Sequence, residues 1–208
     1  MKKFLKNRKN SDVVYAKLFK RYNKKEITEF VKPFKIRFKK NKLNPKKIFS
    51  RKKCIDLGCG NGRASLFMYE NGAKSVTAVD ISKINLNKTT EVLSDFGYKI
   101  KTIHSPLEKL PLNDETFDFV WCNGVIHHTQ EPDKSLRELI RILKIKGQSF
   151  IYVYGSGGIY WWFVDKIRKY LKKIDAKDLI KYLEKLNYSY NFVGRCLDDW
   201  KVLHLRKY

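Results

Sequence analysis

The sequence predicts an α/β fold, a doubly wound and mostly parallel sheet with helices on both faces. Three observations carry that expectation. Apolar strand-like runs alternate with amphipathic helical ones from residue 52 to residue 154. The first of these strands runs straight into a glycine turn, Gly58-Cys59-Gly60-Asn61-Gly62. The second ends in an acid, Asp80, about 20 positions farther on, where such folds grip a ribose.

Each element has a local reason. Strand 52–57 is followed by a helix over 62–71, stopped by Asn71-Gly72. Strand 75–80 leads into a helix over 83–95, with Ser82 as cap and Gly97 as stop. Strands are expected at 99–103 and 117–122. A helix over 132–144 has Pro132 in its first turn, and strand 148–154 follows. Before this core, residues 11–22 carry apolar positions at helical spacing. Residues 25–38 carry Ile27, Phe30, Val31, Phe34, Ile36 and Phe38 among lysines, with Pro33 interrupting, and 39–47 read as a polar connection. After the core come a Gly155–Gly158 joint, an aromatic-headed basic helix over 159–173 and a helix over 176–186. Residues 198–208 leave room for one short strand, so an incomplete sheet is expected there. The chain thus divides into a basic helical extension (1–50), a ligand-binding core (51–155), and a helical substrate-side segment with a shortened end (156–208).

The glycine turn fits a nucleotide-like ligand, because backbone without Cβ can approach it closely. A dinucleotide fingerprint would need a glycine where Arg63 stands. Asp56, two residues before the first glycine, would repel a pyrophosphate but suits a ligand bearing an ammonium group. That points to S-adenosylmethionine, whose aminoacyl end is a zwitterion and whose sulfonium is cationic.

Three further runs extend the pattern: Leu107-Glu108-Lys109-Leu110-Pro111-Leu112; Phe117-Asp118-Phe119-Val120-Trp121-Cys122-Asn123; and Val125-Ile126-His127-His128 before the helix at 136–144. Motif after motif, residues 52–154 resemble the class I S-adenosylmethionine-dependent methyltransferases, in particular the small type 11 subgroup. The resemblance implies a Rossmann-like core with S-adenosylmethionine as cofactor. It also implies that Asp56, Gly58, Cys59, Gly60 and Gly62 shape the methionine pocket, and that Asp80 and Ile81 bracket ribose and adenine. Asn123 and Gly124 would lie beside the methyl-donor end. Two departures stand out. Ser105, followed by Pro106 and Leu107, occupies the adenine-side position where the family commonly has an acid, and the turn after the last core helix keeps one glycine, Gly147.

Charge is unevenly placed. Residues 1–53 carry a net +18, residues 54–150 a net of zero, and residues 151–208 a net +6. The extension therefore reads either as a solvated helical cap or as a basic arm with weak affinity for RNA or an anionic membrane surface. Lysines outnumber arginines 35 to 10, which argues against bidentate phosphate recognition. No apolar run reaches the ~20 residues of a membrane span. The basic start lacks the apolar stretch of a signal peptide, so a cytoplasmic location is expected, with peripheral attachment to the inner membrane surface as its variant. The cysteines, Cys54, Cys59, Cys122 and Cys196, form no C-x-x-C pair and read as reduced thiols. His127 and His128 lack metal-ligand spacing to other donors, so no metal is expected. They follow the fourth strand at the mouth of the expected site and are the candidate catalytic bases.

Three functions follow. The favoured one is methyl transfer to a small-molecule or lipid-linked acceptor, at a hydroxyl. The second is an RNA methyltransferase anchored by residues 1–53. The third is a non-catalytic binding module on the same fold. The sequence leaves the acceptor and the oligomeric state open.

Overall fold

A computed structural model of the chain describes residues 23–153 and, by backbone, strands 188–195 and 201–207. The expected helices at 11–22, 159–173 and 176–186, the 155–158 joint and Cys196 lie outside the described residues. The core contains α1 (Lys24–Lys40), α2 (Pro45–Phe49), β1 (Lys53–Leu57), α3 (Arg63–Glu70), β2 (Ser75–Asp80) and α4 (Lys83–Asp95). These are followed by β3 (Lys101–His104), β4 (Phe117–Asn123), a 3-10 turn (Ile126–His128), α5 (Pro132–Ile142) and β5 (Leu143–Tyr152). The five strands form one sheet in the order β3-β2-β1-β4-β5, and every neighbouring pair is parallel. This is the doubly wound arrangement that the alternation predicts.

Side chains alternate across each strand, and the two sets build two cores. Cys54, Val76, Phe119 and Trp121 face one side, where α1, α2, α3 and α4 cover them with Val31, Phe34, Phe38, Phe49, Phe67 and Leu93. Ile55, Leu57, Val79, Val120 and Cys122 face the other side, covered by α5 through Leu139 and Ile142 and by the loop residues Leu107 and Leu110. The first core is a layer of aromatic rings. Trp121 stacks on Phe150 with centroids 4.3 Å apart and meets Phe34 edge-on at 5.0 Å. Phe49 meets Phe119 edge-on at 4.9 Å.

Four local expectations are corrected. Pro33 does not interrupt its segment: α1 runs through it, opened by an Asn23–Glu26 capping box. Pro33 and Glu29, whose carbonyl loses its donor, both lie on the exposed face, so water can satisfy that carbonyl. The connection at 39–47 contains the start of α2, because Asn44 caps it and Pro45 takes the first helical position. The last core helix ends at Ile142 and not at 144, and β5 begins at Leu143. The register jumps from Phe117↔Leu143 to Phe119↔Gln148, so residues 144–147 bulge out of the pairing, with Lys146 at φ 64°. Finally, the C-terminal region holds two strands, β6 (Tyr188–Arg195) and β7 (Lys201–Lys207). They pair antiparallel as a separate two-stranded sheet with an irregularity between Phe192 and Gly194. The alternation Tyr188, Tyr190, Phe192 is the strand signal behind β6.

No described helix is long and apolar enough to cross a membrane.

Candidate active site

The expected site residues gather at the carboxyl ends of β1 to β4, the crevice where open parallel sheets bind ligands. The chain leaves β1 at Leu57 and turns on three left-handed glycines: Gly58 (φ 72°), Gly60 (φ 57°) and Gly62 (φ 78°). At Gly58 the need is also spatial, because a Cβ there would lie 2.5 Å from a Val125 methyl. That close approach joins the β1 loop to the segment leaving β4. The turn is pinned to β2, with Gly58 N–H and Cys59 N–H both donating to Val79 C=O at 2.8 and 3.0 Å.

Asp56 is 2% exposed and accepts the Ser65 hydroxyl at 2.8 Å. Burial pushes its carboxyl up to about 6, against the pull of the Ser65 bonds; nearby Asp80 adds to the rise. Asp80 is likewise buried, and burial raises its carboxyl too, opposed by hydrogen bonds. Its Oδ2 accepts Gly60 N–H at 3.0 Å, and its Oδ1 accepts Ser82 N–H at 2.8 Å and Asn85 Nδ2–H at 3.2 Å. A carboxylate offers about four acceptor positions. Three are taken by the protein, which leaves one for a ligand hydroxyl where a bidentate grip would need two.

Cys59 is buried, and burial pushes its thiol well up. The Thr89 hydroxyl donates to Gly60 C=O at 3.1 Å, so at the 3.4 Å Cys59–Thr89 contact the thiol is the donor. Cys59 therefore fastens the turn to α4 and has no nucleophilic character. Ile81 follows Asp80 with its side chain 57% exposed, an apolar surface free for a planar ring. Ser105 is buried and donates its hydroxyl within its own loop, 3.0 Å from Pro106 C=O and 2.9 Å from Lys109 C=O. Its oxygen keeps acceptor capacity only. Ser105 N–H bonds Asp80 C=O at 3.2 Å, which joins the β3 exit to the β2 exit. Pro106 is exposed and Leu107 packs inward.

Asn123 ends β4, and its Oδ1 is buried without a hydrogen-bond partner. Gly124 (φ 75°) donates its N–H to Tyr152 C=O at 2.8 Å and ties this exit to β5. His127 and His128 lie on the 3-10 turn that follows, with ring centroids 4.1 Å apart. Burial lowers the pKa of His127, so it is neutral at neutral pH.

Sequence reasoning missed four residues of this site, the first being Ser65, whose hydroxyl donates to Asp56. Asn85 and Thr89 sit on the inner face of α4, and both are buried and polar. Their signal was available, since buried polar positions four apart on a helix that faces a glycine turn invite hydrogen bonds to it. His104 Nε2 lies 2.8 Å from Ile81 C=O and fixes the β2 exit from the end of β3. Nothing in the sequence marks that contact.

A buried carboxylate, a Cβ-free turn and an orphaned Asn123 oxygen fit a cationic nucleoside bearing an amino acid. Among the described residues, no group of three or more His, Cys, Asp or Glu is placed to hold a metal ion.

Residues 55–151 match the family described as a methyltransferase domain. The tRNA U34 carboxymethyltransferase of Nautilia profundicola is 31% identical over 160 residues, covering 65% of this chain and 52% of that protein. The ubiquinone biosynthesis O-methyltransferase of Rickettsia conorii is 29% identical over 102 residues, 49% of this chain and 35% of the relative. The chain thus spans about half, or less, of the length of these curated relatives. In fold it resembles a protein of Methanococcus maripaludis described as an S-adenosylmethionine-dependent methyltransferase. That similarity has a TM-score of 0.50 at 19% identity and covers 89% of this chain and 93% of the other. The parallel sheet, the carboxyl-end cradle and the family match together identify residues 55–151 as a type 11 methyltransferase domain with the class I fold.

Proposed function

We propose that the chain transfers a methyl group from S-adenosylmethionine to a hydroxyl of a small-molecule or lipid-linked acceptor. The observation that carries this reading is the cradle, in which Asp56, the left-handed Gly58 and Gly60, and Asp80 are held by one hydrogen-bonded loop. The cofactor supplies an electrophilic methyl group on a positively charged sulfur. Asp56 would hold its ammonium group, with Gly58 and Gly60 keeping Cβ atoms out of the way. Asp80 would accept one ribose hydroxyl, Ile81 would cover the adenine, and Ser105 Oγ would accept from its amino group. Asn123 Oδ1 and Gly124 border the reacting end.

Methyl transfer is an in-line displacement, so alignment supplies much of the rate, up to ~7–11 kcal/mol. A hydroxyl acceptor must also lose its proton. His127, neutral because burial lowers its pKa, can take that proton, and His128 beside it is the second candidate.

A second reading, transfer to tRNA, is favoured by the similarity to the tRNA U34 carboxymethyltransferase and by the 13 cations against two acids in residues 23–53. Radiolabelled methyl transfer separates the two. The chain is incubated with a lipid extract, a small-metabolite extract and total tRNA in turn. Label in either of the first two, lost in His127→Ala, supports the proposal. Label in tRNA replaces it with the second reading. Tight S-adenosylhomocysteine binding without transfer to any of the three would make the chain a binding module.

A further inference from the structure

The amino ends of the same strands carry a second surface. Arg51, Lys52 and Lys53 lead into β1, Lys74 leads into β2, and the bulge at 144–147 lies where β5 meets β4. Backbone and side-chain bonds hold these segments together. Arg51 N–H donates to Gly72 C=O at 2.8 Å, Lys74 N–H to Lys52 C=O at 2.9 Å, and Lys52 Nζ to Gln148 Oε1 at 3.2 Å. Asp118 accepts both Lys53 N–H at 2.8 Å and Lys144 Nζ at 2.7 Å, which neutralises Lys144. Nearby, Asp114 is paired with Arg141 and Glu115 is exposed.

Arg51, Lys74 and Lys146 on this rim, and Lys46 and Lys47 on α2 just before it, are exposed. Their side chains have no hydrogen-bond or ion-pair partner among the described residues. From residue 30 to residue 55 the chain has no acid at all. At the tip of the bulge, between Lys144 and Lys146, Ile145 is 76% exposed. With strands ~4.8 Å apart, the run from β2 to β5 spans about 14 Å.

We infer that this rim docks on an anionic lipid surface, with Ile145 entering the headgroup layer and the cations lying over it. Charge complementarity admits either a lipid surface or a nucleic acid, and two observations decide between them. An aliphatic tip flanked by lysines gains from a bilayer interface and has no use on a phosphate backbone. Base-stacking sites need exposed aromatics, and the two exposed aromatic rings among the described residues, His104 and Tyr152, end β3 and β5 at the carboxyl end of the sheet, opposite the rim.

The consequence for function rests on the cofactor lying at the carboxyl ends. Strands of five to seven residues, such as β1 and β4, hold the rim and the cradle about 20 Å apart. A membrane touching the rim leaves the cradle facing water. The acceptor then arrives from the aqueous side, which selects the small-molecule arm of the proposed function over the lipid-linked one.

The test is vesicle flotation of the full chain. Vesicles of phosphatidylcholine alone are compared with vesicles containing about one-third phosphatidylserine. The expected result is binding to the anionic vesicles only, weakened at high salt. The triple variant Lys46→Glu, Lys47→Glu, Lys146→Glu should lower partitioning by about tenfold or more, and Ile145→Ser by a few-fold. Lys109→Glu, a single charge reversal beyond β3 away from the rim, should leave it nearly unaltered. S-adenosylhomocysteine affinity should stay the same in the rim variants, which keeps failure of docking distinct from failure of the cofactor reading. No flotation, or flotation indifferent to the triple variant, would overturn the inference. So would RNA that displaces the chain from vesicles and is itself bound less well by the triple variant.

Discussion

The two ends of one parallel sheet are made by the same strands and hold opposite chemistry. At the carboxyl ends, two acids are buried at 2% and 6% exposure, and hydrogen bonds to Ser65, Gly60, Ser82 and Asn85 make that burial tolerable. At the amino ends cations predominate, and Lys46, Lys47, Arg51, Lys74 and Lys146 are exposed with no hydrogen-bond or ion-pair partner among the described residues. The first arrangement costs stability and has a use only if a ligand completes it. The second costs almost nothing to fold, so its presence alone says little, and Ile145 is what gives it direction. Between the two ends lies the aromatic layer under α1, which stabilises both. The largest expected effect is therefore there.

Trp121→Ala should remove about 3–5 kcal/mol of stability, read by urea denaturation, because the ring packs against Phe34, Phe67 and Phe150. Trp121→Phe should cost far less than that. The indole Nε1 is buried without a hydrogen-bond partner, so losing it removes an unsatisfied donor and offsets part of the lost packing. If the two variants were equally damaging, the layer would not be the shared support that the comparison makes it.

The next effect belongs to the buried acids. The Asp56 carboxyl titrates near 6 in the fold and near 4 in the unfolded chain. Between those values the folded chain binds a proton that the unfolded chain does not. Stability therefore falls as pH rises through this window, by about 3 kcal/mol in all, and is level above it. Asp80, raised by its own burial, acts in the same direction. Affinity for an ammonium-bearing ligand should run the other way, rising with pH until Asp56 is ionised. Denaturation and S-adenosylhomocysteine titration at a series of pH values would show the two opposed slopes, and Asp56→Asn should flatten the affinity slope and leave only the Asp80 part of the stability slope. Parallel slopes would separate Asp56 from the ligand.

Gly58→Ala should come third, at about 1–3 kcal/mol, since it strains a left-handed residue and drives a methyl group into Val125. The same variant should weaken S-adenosylhomocysteine binding at least tenfold. Gly97→Ala is the control for backbone strain alone, because it shares the positive φ but a Cβ there meets nothing within 4 Å.

Much of this site can be read from the sequence because glycine spacing and strand-end acids are local signals. Gly58, Gly60 and Gly62 and the acids Asp56 and Asp80 announce themselves by type and interval. What the sequence hides is who satisfies them. That Asp80 spends three acceptor positions on Gly60, Ser82 and Asn85 depends on contacts across as many as 20 residues, which no periodicity encodes. The role of α1 was obscured by Pro33 and by its many lysines, which disguise a buried stripe of Ile27, Val31, Phe34 and Phe38 as a solvated arm. At 144–147 the sequence announces a turn through Gly147, and what it hides is that β5 already begins at Leu143, so that Ile145 is thrown out of the pairing. β6 is different, since its alternating aromatics were in plain view and only the expectation of a shortened end passed over them.

The smallest effect tests the finest point of the comparison, that the carboxyl end is tuned by its partners as well as buried. Ser65 donates to Asp56 from the first turn of α3, and that bond lowers a carboxyl which burial raises. Ser65→Ala removes one oxygen and leaves the packing nearly unchanged. At pH 8, where Asp56 is ionised, the loss should be about 1 kcal/mol. At pH 4, where Asp56 holds its proton in the fold, the loss should shrink, because the neutral acid depends less on a donor. The pH at which ligand affinity levels off should move upward in the same variant, since the Asp56 carboxyl would then titrate higher. A stability loss equal at both pH values, with no movement in the affinity profile, would mean that Ser65 serves packing alone and that burial by itself sets the charge of Asp56.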